Sequence, residues 1–99
     1  FLDIFRDLGM EAAEMKYPKC STDAGNVDLV IPVFHPGIKA ADTSVNLHTA
    51  EFEQCMHGDR AVQTLKNGAK VIGNFLWQTA GQESVMKQLT EEWKSYRGL

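Results

Sequence analysis

Residues 28–36 read DLVIPVFHP, and this stretch decides the fold class. Leu29, Val30, Ile31, Val33 and Phe34 are β-formers in one continuous apolar run, the pattern of a strand buried on both faces. Pro32 has no backbone N–H to give to a ladder, so an edge strand, a bulge or a break is expected there. Pro36 and Gly37 end the segment. Upstream, residues 10–17 (MEAAEMKY) fit either a strand or a helical turn. Pro18 ends any helix, because the residue before proline avoids the α region, and a short strand near 14–17 is favoured. The expected class is α/β: short strands of a mixed sheet followed by two or three packing helices.

The helices are read from periodicity and caps. Leu2, Ile4, Phe5 and Leu8 have helical spacing, and Gly9 suits the left-handed position just past a helix end. Thr49 is placed to cap a short helix over 50–56, with Glu51 in its first turn. Gly58 breaks that helix, and Asp59 is expected to cap the next. Residues 60–79 carry one stripe of Val62, Leu65, Ala69, Ile72 and Leu76. Gly68 and Gly73 inside it each cost about 1 kcal/mol relative to Ala, which points to close packing against a neighbour. Gly81 ends this helix. A last helix over 83–96 would bury Val85, Leu89, Trp93 and Tyr96, with Met86 alongside.

The chain has 99 residues, 43% hydrophobic and 23% charged, so it reads as one small globular unit with a modest core. A formal charge of −3 and the lack of any Lys/Arg cluster argue against nucleic-acid binding. No apolar run approaches the roughly 18 residues needed to span a bilayer. Cys20 and Cys55 form no disulfide framework and no CxxC pair, which points to free thiols in a reducing cytosol. The chain starts at Phe1 without Met, as a fragment or a processed product would.

Most side chains suited to chemistry fall within 20–48: Ser21, Thr22, Asp23, Asn26, His35 and His48. These residues are expected to line the wall of an active site. Ser21, Thr22 and Asp23 suit a helix cap. The same STDAG run also resembles a nest of backbone N–H groups for a carboxylate. Ser21 lacks the GxSxG setting of a nucleophile. His57 is expected to be exposed and idle. His35 closes the apolar segment as a hydrogen-bonded residue. His48, between a loop and a capped helix, is the histidine best placed for a metal. A catalytic zinc takes about three protein ligands, and no HExxH or Cys/His set accompanies it.

Taken together, STDAGNV at 21–27, Pro32 with His35-Pro36, HTAEF at 48–52 and NGAKVIG at 67–73 resemble the C-terminal end of a known family. It is the aminoacylase and carboxypeptidase superfamily of zinc-dependent amidohydrolases, in the branch containing p-aminobenzoyl-glutamate hydrolase. The likeness is densest over 20–52 and extends more weakly from 1 to 76. It implies that the chain is the C-terminal piece of a mixed-sheet catalytic domain hydrolysing N-acyl amino acids or small peptides with zinc or manganese. His48 would be a metal ligand, and Ser21, Thr22, Asp23, Gly25, Asn26 and His35 would line the substrate cleft. The other ligands, the catalytic glutamate and a dimerisation domain forming a homodimer would belong to polypeptide outside these residues. Asp28 stands where the branch carries serine, and EQCMHGD at 53–59 replaces an alanine-rich run. A different class is also open: a small standalone α/β module that binds a partner and catalyses nothing.

Overall fold

A computed structural model describes residues 1–15 and 21–99. In chain order it contains α1 (Leu2–Asp7), α2 (Ala24–Asp28), α3 (Ala50–Cys55), α4 (Asp59–Ala80) and α5 (Glu83–Arg97). Among the described residues there is no strand and no sheet, which overturns the α/β class.

The reason lies in where the backbone donors of 29–33 go. Leu29 N–H donates to Asn26 O at 3.3 Å, and the Val30 and Ile31 N–H groups donate to Val27 O at 2.9 and 3.1 Å. Pro32 has no N–H to give, and Val33 N–H donates to Asp28 Oδ1 at 3.3 Å. With these donors satisfied locally, none remains for a neighbouring strand. Leu29, Val30, Ile31 and Phe34 are exposed rather than buried on both faces, Val30 at 73%, and Val33 is half-buried. Of the other expected strand, Glu14 and Met15 are irregular, while Lys16 and Tyr17 lie outside the described residues.

The buried apolar cluster is small: Ile4 and Phe5 of α1 against Val71 of α4. Phe75 and Phe1 flank it, stacked with ring centroids 4.2 Å apart. Phe34 joins them at 5.4 Å from Phe1 and 5.3 Å from Phe75, which ties the 28–36 segment to α4. Offset aromatic pairs of this kind add about 0.5–1.5 kcal/mol beyond burial. Gly9 closes α1 at φ 76°, as expected, while Met10 N–H donates to Phe5 O at 2.9 Å. The radius of gyration is 15.6 Å, above the ~13 Å of a compact chain this long.

Helix α4 buries a different face from the expected one. Val71 and Thr79 are buried, with Phe75 between them half-buried. The stripe of Val62, Leu65, Ala69, Ile72 and Leu76 lies roughly a quarter-turn round the axis and is exposed, Leu65 at 74%. Gly68 and Gly73 are not sites of close packing, since a Cβ at either would meet nothing within 4 Å. The crowded glycine is Gly81, where a Cβ would sit 2.9 Å from Trp77 O in the turn to α5. The N-cap of α4 is Gly58, and Asp59 is its first helical residue. In α5, Val85, Leu89 and Trp93 are half-buried as the stripe predicts, but Met86 and Tyr96 are exposed.

Residues 39–42 form a strap across the first half of α4. Arg60 donates to Asp42 Oδ1 at 2.9 Å and to Ala41 O at 3.2 Å, and Thr64 Oγ1 donates to Lys39 O at 3.3 Å. Beneath it Ala41 is buried. The Arg60 guanidinium, by hydrogen bond first and charge second, holds the Asp42 carboxyl below the usual aspartate range. A depressed folded value means that the tether contributes above the ordinary aspartate pKa and is lost as pH falls through the lowered one. Arg60→Ala is therefore expected to return Asp42 to the ordinary range in an NMR pH titration. An unchanged titration would remove Arg60 as the cause.

No helix among the described residues is long and apolar enough to cross a membrane. Cys55 is a free, half-buried thiol, and Cys20 lies outside the described residues.

Candidate functional site

The 21–28 run folds into the short helix α2. Thr22 Oγ1 accepts from Ala24 N–H at 3.3 Å, so Thr22 holds the helix start while Asp23, the N-cap, makes no side-chain bond. The nest reading fares less well. Gly25 N–H donates to Thr22 O, and the Asn26 and Val27 N–H groups donate to Asp23 O. Within the 21–25 run the Ala24 and Gly25 amides are thus engaged in the turn itself and not turned to a carboxylate.

Beside α2 lies an open cleft of about 340 Å³. Thr22, Gly25 and His35 line it, together with Ala24, Asp28, Val33 and Tyr96. The structure thus brings three of the expected substrate-lining residues together. Ser21, Asp23 and Asn26 are exposed outside that lining, and so is His48. A second hollow of about 210 Å³ adjoins the cleft, sharing Asp28, Val33 and Tyr96 and extending to Phe34, Glu92 and Trp93. Its two walls are joined by one long-range hydrogen bond, Trp93 Nε1 donating to Asp28 O at 2.9 Å.

His48 has its own local construction. It is exposed and, among the described residues, is the non-glycine residue with a positive φ, 62°. A left-handed backbone costs an L-residue about 1–2 kcal/mol. The next residue fixes it in place. Thr49 Oγ1 donates to Asn46 O at 2.7 Å and accepts from Phe52 N–H at 3.2 Å, so one hydroxyl ties the loop before His48 to the first turn of α3. This is the cap that the sequence predicts. His57, also exposed, sits between α3 and α4 as expected.

Among the described residues no group of three His, Cys, Asp or Glu side chains is placed to hold a metal. Reasoning from sequence overlooks two contributors to the cleft. Asp28 stands out only as a departure from serine, and its carboxylate turns out to brace the chain across Pro32. Tyr96 sits three residues after Trp93, one turn further along the same side of α5, and continues its line to the cleft rather than into a core. Comparison with protein-family models, with curated proteins and with solved structures finds no match for this chain.

Proposed function

We propose that the chain forms part of a metal-dependent amidohydrolase acting on N-acyl amino acids or small peptides, with His48 as one metal ligand. The observation that supports this best is the left-handed backbone of His48, held by the two hydrogen bonds of Thr49. Backbone strain of that kind is kept where a side chain must be aimed, and it clusters at functional sites. The order of motifs from 21 to 52 supports the same reading. It rests on no sheet, which these residues do not form.

The donor set fits one ligand and no more: the described residues offer a single exposed imidazole at this position and no complete group. Bound zinc or manganese supplies polarisation of an amide carbonyl and an activated water. The remaining ligands and the glutamate that moves the proton belong, on this reading, to polypeptide outside these residues. Within the chain, His48 presents its imidazole. Thr22 and His35 offer a hydroxyl and an imidazole from one cleft to the carboxylate end of a substrate. A protein carrying this chain is expected to hydrolyse p-aminobenzoyl-glutamate or short dipeptides, to lose that activity on chelation and to regain it with zinc or manganese. Hydrolysis indifferent to chelation would remove the metal from the mechanism.

One observation favours a second reading, a partner-binding module without catalysis. The α4 stripe of Val62, Leu65, Ile72 and Leu76 is exposed, and Trp77 beside it is 83% exposed. Patches of this kind mark interaction surfaces. On that reading no hydrolysis appears with or without metal, and the isolated chain sediments as a folded monomer.

A further inference from the structure

We propose that the hollow of about 210 Å³ between residues 28–34 and α5, beside the cleft that Thr22 and His35 line, binds a small organic cation of the alkyl- or arylammonium class. Three aromatic side chains, Phe34, Trp93 and Tyr96, line this space together with the carboxylates of Asp28 and Glu92. No Lys or Arg is among the described residues lining either hollow. An ammonium group gains from an aromatic face and makes charge-assisted hydrogen bonds to carboxylates, whereas an anion gains from neither.

The site is built rather than incidental. Asp28, which lines the hollow, is positioned by Oδ1 accepting from Val33 N–H at 3.3 Å. Glu92 Oε1 accepts from Gln88 Nε2 at 2.9 Å, one turn earlier on α5. The Trp93 N–H is committed to Asp28 O, so the indole cannot turn away and the two walls keep their spacing. Tyr96, exposed and lining both hollows, stands where they meet. The proposal does not depend on hydrolysis.

The test is an NMR titration of the unmodified chain with benzylammonium, benzyl alcohol and benzoate, which share a ring and differ in charge. Benzylammonium is expected to shift the Trp93 indole signal and leave that of exposed Trp77 unmoved. It should bind about two- to fivefold more tightly than the alcohol, the gain expected of an exposed cation–π contact, with benzoate the weakest. Glu92→Gln, at an exposed position, should erase part of the cation's advantage without altering the alcohol, while Tyr96→Leu should weaken both ligands and the ammonium more. Equal affinity for alcohol and ammonium, or no movement of Trp93 at millimolar ammonium, would overturn the proposal.

Discussion

Val71→Asp is expected to separate α1 from α4 and leave the chain without stable tertiary structure. Val71 is 2% exposed and closes the cluster with Ile4 and Phe5. A carboxylate there has only apolar neighbours in that cluster. An uncompensated buried charge costs about 3–5 kcal/mol, a large share of the ~5–15 kcal/mol by which folded domains are stable, and this core is small. The substitution therefore removes most or all of the stability. Circular dichroism with thermal melting checks it: the cooperative transition should disappear while part of the helical signal of α4 and α5 persists. Leu65→Asp, on the same helix but 74% exposed, is the control and should shift stability by no more than about 0.5 kcal/mol. The pair also decides between two faces of α4. If Leu65→Asp unfolds the chain and Val71→Asp does not, the stripe read from periodicity is the buried one.

That comparison shows how far the sequence was legible. Local signals were read correctly: the end of α1 at Gly9, the Thr49 cap, and the bounds of α4 to within a residue at either end. Each depends on neighbours a few residues away. What failed needed knowledge of partners. The 28–36 run has the composition of a strand, yet a strand exists only with a neighbour to receive its N–H groups. Here Asn26, Val27 and Asp28 receive them. The periodicity of α4 is compatible with more than one apolar face, and contact with α1, far away in sequence, selects Val71 and Phe75. Gly68 and Gly73 suggested close packing, but Gly81 is the position where the backbone is crowded.

For the candidate site the division is similar. Thr22, Gly25 and His35 were named from motif and residue type, and they do share a cleft. Ser21, Asp23 and Asn26 belong to the same motif but are exposed outside it, because the tight α2 turn directs successive residues to different sides. The meeting of Asp28 with Glu92 and Tyr96 depends on α5 returning to residue 28 through Trp93, a contact between residues far apart in sequence.

The central claim is that His48 ligates a metal, and His48→Gly tests it better than alanine does. At φ 62° glycine relieves the backbone strain, so the fold is expected to persist or to gain slightly in stability. Loss of function then reports on the imidazole alone. Removing a mere supporting partner of a metal ligand costs 10- to 100-fold, so losing a ligand itself should cost at least about 100-fold. The decisive measurement is the rate of p-aminobenzoyl-glutamate or dipeptide hydrolysis, with bound metal counted on the same dialysed samples, for the protein carrying this chain and its His48→Gly variant. Reduced metal content and a rate lower by at least about 100-fold, with the thermal midpoint maintained, is the predicted result. Unchanged metal content and unchanged hydrolysis would contradict it.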